Sequence, residues 1–187
     1  NSYCGEIGPA PENLLARDFS SCRPNEKWLT DITEFQLLAG KVYLSPVIDC
    51  FDGQVVSWSI GTRPDATLVN TMLDDALDTL SEHDKPVIHS DRVGHYPWPG
   101  WLERINTSGL IRSMSRKGCS SDNAACEGFF GRIKNEMFYS SDCEGIRLEK
   151  FICFLDRYIR WYNEKRIKLS LGAMSPVKYR QHLGITT

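Results

Sequence analysis

With 187 residues, 41% of them hydrophobic and 25% charged, the chain has the composition of one core-forming domain of ordinary size plus a tail, which excludes a disordered or fibrous protein. No run approaches the roughly eighteen apolar residues of a membrane span and no charged-then-apolar leader opens the chain, so the expectation is a cytoplasmic protein with no membrane partner. The net charge of −2 hides a division: residues 1–110 hold 8 Lys+Arg against 16 Asp+Glu and residues 111–187 hold 14 against 8, a pattern that suits polyanion contact on one side or, equally, a solvated basic helix.

The chain opens on Asn1 rather than Met, which reads as a fragment or processed product with a further domain expected upstream. Residues 1–26, rich in Pro, Asn, Ser and Gly without a sustained period, are expected to form an arm or linker. "KWLTDITEF" (27–35) alternates Leu29, Asp31, Thr33 and Phe35 with Trp28, Thr30, Ile32 and Glu34, the pattern of a strand with a carboxylate at its middle. "KVYLSPVIDCF" and "QVVSWSIGT" flank Asp52-Gly53 and predict a hairpin with a two-residue turn, which makes three antiparallel strands in succession. After Pro64, with Asp65 as N-cap, Leu68, Val69, Met72, Leu73, Ala76, Leu77 and Leu80 recur at helical spacing. "KPVIHSD" predicts a short buried strand ending at Asp91, "WLERIN" a short helix and "LIRSMSR" a fifth strand.

Two long helices are predicted next. In 122–138, capped by Ser121 or Asp122, the residues Cys126, Phe129, Phe130, Ile133 and Met137 share one stripe, while Asn123, Glu127, Gly131 and Lys134 form a neighbouring polar face. In 146–163 the stripe is Leu148, Phe151, Ile152, Leu155, Tyr158, Ile159 and Tyr162, with Lys150, Arg157, Arg160 and Trp161 opposite. A basic tail follows, with a loop at Gly172 and a short helix after Pro176. The expected division is an arm at 1–26, a core at 27–140 and a helical extension at 141–187, with an α/β fold whose mixed sheet carries helices on both faces.

Seven cysteines (Cys4, Cys22, Cys50, Cys119, Cys126, Cys143, Cys153) at wide spacing with no C-x-x-C pair argue for packed reduced thiols over a zinc site or a disulfide framework. Three acids are harder to explain as surface charges. Asp31 lies mid-strand, Asp91 ends a buried strand and Glu127 rides a helix packed beside that sheet. Carboxylates so placed need partners, and hard oxygen ligands favour magnesium or manganese over zinc. A pair of such ions activates an attacking oxygen and stabilises the leaving oxygen of a phosphodiester.

Asp31 in "WLTDITEF", Asp91 in "VIHSDRVGHY" and Glu127 in "SDNAACEGFFGRIKNE", with thirty-five residues between Asp91 and Glu127, resemble the signature blocks of bacterial insertion-sequence transposases, the retroviral-integrase-like group with a DDE triad. "RYIRWYNEKRIKLSLGAMSPVKY" resembles the segment that closes these proteins, so the resemblance runs from about residue 25 to about 182. It implies a ribonuclease H-like fold with a five-stranded mixed sheet. It also implies magnesium-dependent cleavage and strand transfer on DNA, transposon ends and target both, by a homo-oligomer. Asp31 would bridge the two ions, with Asp91 and Glu127 completing one each, and manganese would substitute. Candidate DNA contacts are His89, Arg116, Lys117, Asn123, Lys134, Arg157, Arg160, Lys165, Arg166 and Lys168. Asn123 has a second reading as the group that orients a carboxylate, His89 one as a hydrogen-bonding residue, and His95 reads as a surface residue. Asp52 is explained by the turn and Asp49 is left open. Val93 stands where the group carries Gly and Pro97 where it tends to carry a polar residue. The rival readings are a hydrolytic nuclease of the same fold and a catalytically silent DNA-binding or assembly module.

Overall fold

The structure, a computed structural model, describes residues 11–91, 98–140 and 145–185. Cys4, Val93, His95, Pro97 and Cys143, singled out above, lie outside the described residues. In chain order the elements are β1 (Lys27–Thr30), β2 (Thr33–Leu37), β3 (Gly40–Asp49), β4 (Val55–Gly61), α1 (Ala66–Leu77), β5 (Val87–Ser90), α2 (Pro99–Ser108), β6 (Ile111–Met114), α3 (Ala124–Ile133), α4 (Leu148–Glu164) and α5 (Pro176–His182).

All six strand segments belong to one mixed sheet. β3 pairs antiparallel with β1, β2 and β4, and β5 lies parallel between β1 and β6. β1 and β2 are one line of chain: Thr30 stands opposite Val47 and Thr33 opposite Leu44, so the register passes through the gap unchanged. The five strands expected from the sequence are therefore present, the first of them interrupted at Asp31 and Ile32. Pro46 is the physical reason. The Cys50 N–H donates to the Lys27 carbonyl, and the ladder alternation that follows makes Pro46 the partner of Asp31, where it has no N–H to give. The break opens the strand at the residue whose carboxylate matters most below.

The alternation read from the sequence assigns the two faces. Leu29, Phe35, Val42, Leu44 and Ile48 pack under Cys126, Phe129, Phe130 and Ile133 of α3 and Phe151, Leu155, Ile159 and Tyr162 of α4. Trp28, Val47 and Ile88 pack on the other face against Val69, Met72, Leu73 and Ala76 of α1 and Trp101 and Ile105 of α2. Each fully buried side chain of this size contributes about 1.5–3 kcal/mol, so the two layers on one sheet supply most of the drive to fold. Asp65 caps α1 as expected, its Oδ1 accepting the Leu68 N–H at 3.1 Å. Asn163 of α4 grips the edge strand β4 like a further strand. Its Oδ1 accepts the Val55 N–H at 2.9 Å and its Nδ2 donates to the Val55 carbonyl at 2.8 Å, which satisfies two buried backbone groups at once.

Three local expectations are corrected. The β3–β4 turn is longer than two residues: the Asp49 N–H donates to the Gln54 carbonyl, the Gly53 N–H to the Asp49 carbonyl, and Gly53 takes φ +73°. Neither Ser121 nor Asp122 caps the next helix. Residues Ser120–Asn123 form a 3-10 turn, and Asn123 holds the cap position without a capping hydrogen bond. The helix then widens into a π-helical turn over Lys134–Phe138, with the Tyr139 N–H bonded to the Lys134 carbonyl at 2.7 Å. From residue 11 onward the N-terminal segment is docked. Glu12 accepts from the Met114 N–H, the Leu14 N–H donates to Ser113 Oγ, and Leu15 is buried in the α3 layer. Among the described residues no helix is long and apolar enough to cross a membrane.

Candidate active site

Sheet register brings the first two acids together. β1 and β5 run parallel with Leu29 beside His89 and Thr30 beside Ser90, so one step further Asp31 and Asp91 leave the carboxyl ends of adjacent strands side by side. Crevices outside the carboxyl ends of parallel strands are where open α/β sheets bind ligands. The third acid arrives on α3, in whose first turn Glu127 lies exposed while its neighbour Cys126 turns into the core. Chain neighbours separate because a helical step of about 100° carries one to the apolar stripe and the other to the sheet edge.

Asp31 is anchored by two hydrogen bonds. Its Oδ1 accepts the Ile32 N–H at 2.8 Å and its Oδ2 accepts Asn123 Nδ2 at 2.9 Å, both neutral donors. Burial, and then the negative charges of Asp91 and Glu127, push its carboxyl up to about 6 against the favourable hydrogen bonds from Ile32 and Asn123. The charges of Asp91 and Glu127 both act on Asp31, so the three acids face one region at the carboxyl ends of β1 and β5. Among the described residues no three His, Cys, Asp or Glu side chains close tightly enough to grip one ion as they stand. Like charges left to themselves repel, and the penalty at Asp31 is of the kind a cation relieves. The donor set is all oxygen, which fits a hard divalent cation.

This penalty has a thermodynamic signature. Because the native value at Asp31 lies above the ordinary 3.8, the folded protein keeps a proton there that the unfolded chain has already lost between about pH 4 and pH 6. Without divalent cations, Asp31 therefore makes stability fall as pH rises through that window, by on the order of 3 kcal/mol. Urea unfolding in chelator should show Asp31→Asn gaining on wild type at pH 7 relative to pH 4.5, and parallel pH profiles for the two would refute the electrostatic reading.

The neighbouring polar groups are mostly structural. His89 is 0% exposed, with Nδ1 2.8 Å from Ser113 Oγ and Nε2 3.2 Å from Ser115 Oγ. Asn123 is 3% exposed and its Nδ2 donates to Asp31. Arg116 is bound by Asp122, which also receives Arg17 of the arm at 2.8 Å; these two cations, Arg116 first, hold the buried Asp122 carboxyl far below the usual range. Arg160 pairs with Asp156, Arg166 makes a forked pair with Glu136, and Lys168 donates to the Asp52 carbonyl from a half-buried position. Lys117, Arg157 and Lys165 are exposed, and Lys134 stands 5.7 Å over the Phe35 ring. Of the carboxylate partners of Arg116, Arg160 and Arg166, only Glu136, 30 positions from Arg166, is distant along the chain; Asp122 and Asp156 lie six and four positions from Arg116 and Arg160.

Asp49 and Asp52 are not part of this site. They are 0% and 3% exposed and share Arg180 of α5, whose Nε donates to Asp52 at 2.7 Å and whose Nη2 donates to Asp49 at 2.9 Å and Asp52 at 3.1 Å. Asp52 is thus more than a turn residue, and the ambiguity at Asp49 is resolved.

Antiparallel strands leading into parallel ones, with acids gathered where two parallel strands end, define a ribonuclease H-like integrase core, and the chain belongs to the integrase core domain family: it matches that family over residues 22–120 and a second integrase core domain pattern over residues 127–183. It is 57% identical over 185 residues to a Shigella flexneri protein described as "Probable transposase for insertion sequence element IS1353", covering 99% of this chain and 36% of that protein. It is 42% identical over 180 residues to an uncharacterized transposase-like protein of Haemophilus influenzae, covering 96% of this chain and 82% of that protein. With transposase InsF for insertion sequence IS3A of Escherichia coli K12 the identity is 34% over 179 residues, 95% of this chain and 62% of that protein. Several of these relatives are thus considerably longer than this chain. Among solved structures, the HTLV-2 integrase catalytic core domain in complex with magnesium superposes with a TM-score of 0.63 at 18% identity, covering 84% of this chain and 97% of that one. A chain of the simian T-cell lymphotropic virus intasome gives 0.67 at 18%, covering 86% and 54%. At that identity the likeness establishes the fold.

Proposed function

We propose that this chain is the catalytic core of an insertion-sequence transposase, in which Asp31, Asp91 and Glu127 hold divalent cations and a 3′-hydroxyl at the element's end is joined to a phosphodiester of target DNA. The observation that carries the proposal is that Asp91, beside Asp31 in the parallel register, and Glu127 both act on Asp31, whose carboxyl burial and then their charges raise to about 6. Magnesium, with manganese as substitute, fits the all-oxygen set, and two ions per site would supply activation of the attacking oxygen and stabilisation of the leaving one. The chain's own part is positional. Asp31, held by hydrogen bonds from Asn123 and Ile32, would hold the ions together with Asp91 and Glu127. No side chain serves as a nucleophile.

The same reading takes DNA as the partner, with transposon ends and target held by a homo-oligomer, and Lys117, Arg157 and Lys165 as the exposed cations available to phosphates. It also divides the chain into an arm at 1–26, the core at 27–140 and a helical extension at 141–187, the last supported by the α4 residues that pack into the α3 layer. The test uses the full-length protein with pre-cleaved element ends, supercoiled plasmid and manganese. Covalent joining of ends to plasmid is expected; nicking without any joined product would identify a hydrolytic nuclease instead.

A further inference from the structure

Asn123 sits at the N-terminal cap position of α3, where an Asn side chain ordinarily uses its oxygen to accept a backbone N–H of the first turn. Here it makes no such bond. Its Nδ2 reaches across to Asp31 Oδ2 at 2.9 Å instead. An ionised carboxylate only accepts, so this contact fixes which way the amide faces, with NH2 on Asp31 and the carbonyl turned away. Oδ1 is then fully buried, on a residue 3% exposed, and accepts no hydrogen bond from the protein. The placement is not loose: the preceding residue, Asp122, is clamped by Arg116 and Arg17, which pins the turn that carries Asn123. A buried acceptor held in position beside a carboxylate and left without a donor calls for one that arrives with a ligand.

We propose that Asn123 is a positioning residue for Asp31, with Nδ2 setting the carboxylate and Oδ1 accepting the O–H of a water carried by a hydrated divalent cation bound there. The inference rests on the metal-site reading above. Magnesium and manganese keep several of their waters when a few carboxylates bind them, and those waters need acceptors around the site. The same amide thus serves both sides of one ion's environment, the protein ligand and the solvent ligand. Partners of this kind are worth about 10–100-fold in metal affinity.

The test is manganese binding to the full 187-residue chain at fixed pH, followed by the loss of the free hexaaqua Mn²⁺ signal in electron paramagnetic resonance, for wild type, Asn123→Ala, Asn123→Gln and Asp31→Asn. Asn123→Ala should bind Mn²⁺ about tenfold or more weakly while its metal-free thermal midpoint stays near that of wild type, and Asn123→Gln, which keeps both amide groups on a longer arm, should recover part of the loss. Wild-type affinity in Asn123→Ala overturns the proposal and leaves the carboxylate site standing. A lowered metal-free midpoint with unchanged affinity also overturns it, because it marks Asn123 as purely structural. Wild-type affinity in Asp31→Asn overturns the metal site, and the proposal with it. If the alanine variant does not fold, Asn123→Ser, too short to bridge, is read by the same outcomes.

Discussion

Asp31→Asn, Asp91→Asn and Glu127→Gln should each lower the joining of a 3′-hydroxyl to a target phosphodiester by about 10³-fold or more, with the fold retained. Each change is isosteric and removes one negative charge from a cluster that the structure shows to be electrostatically penalised at Asp31. In the proposed reaction that charge is a metal ligand, and metal stabilisation of a transition state is worth several kcal/mol. The folded chain has little to lose. Glu127 is exposed in the first turn of α3, where a helix end rewards a negative charge by only about 0.3–1 kcal/mol, and Asp31→Asn relieves repulsion rather than breaking an ion pair. Pairs of these substitutions should be no worse than the singles, since residues that act as one unit are not additive. Strand-transfer products resolved on gels, beside metal-free unfolding curves, decide the matter. Any one of the three variants retaining activity within tenfold of wild type would remove that residue from the triad.

The largest effect on stability should come from Arg180→Met, which we expect to cost about 3–5 kcal/mol. Arg180, itself 6% exposed, is the shared cation for Asp49 and Asp52, and all three groups lie out of water. The Asn25 and Phe51 N–H groups also donate to Asp49 and the Gln54 N–H to Asp52, so the carboxylates stay fixed when the cation goes. Two buried negative charges then face each other. One must take up a proton, and burial already pushes the Asp49 carboxyl up from its ordinary value. The variant's deficit should consequently grow as pH rises above the ordinary carboxylate range, because the native variant binds a proton that the unfolded chain does not. Urea denaturation between pH 5 and pH 8 measures it. Replacing Asp49 and Asp52 with Asn in the same background should recover much of the loss, since what costs is the uncompensated charge rather than the absent pair. A loss below about 1 kcal/mol for Arg180→Met would mean that water reaches the cluster.

How far the sequence could be read depended on the range of the interaction involved. Alternation from Trp28 to Phe35 assigned both faces of the first strand correctly because a strand's side chains have a period of two whatever it packs against. The stripes Cys126-Phe129-Phe130-Ile133 and Phe151-Leu155-Ile159-Tyr162 were legible for the same reason, at helical period. Turn length at Asp52-Gly53 was misread because Asp49 and Asp52 are set by Arg180, 131 and 128 positions away, and not by local φ preference alone. The break at Asp31 had a local signal in Pro46, but it acquires meaning only once Pro46 is known to stand opposite Asp31.

A count of Lys and Arg in the basic second part of the chain suited either a polyanion surface or a solvated basic helix; in the fold Arg116, Arg160 and Arg166 each pair with a carboxylate. By itself the sequence determined the strands, the helices and their apolar faces, because those follow from periodicities of the backbone within a few residues. It also carried the three acids, in blocks that resemble those of a known family. The tertiary structure alone decided which charges are spent inside the protein and which act on one another: parallel register sets Asp31 beside Asp91, the charge of Glu127 on α3 acts on Asp31, and Asn123 makes no helix cap and donates to Asp31 instead. Charge interactions act through space across tens of residues of chain, and only folding fixes those distances.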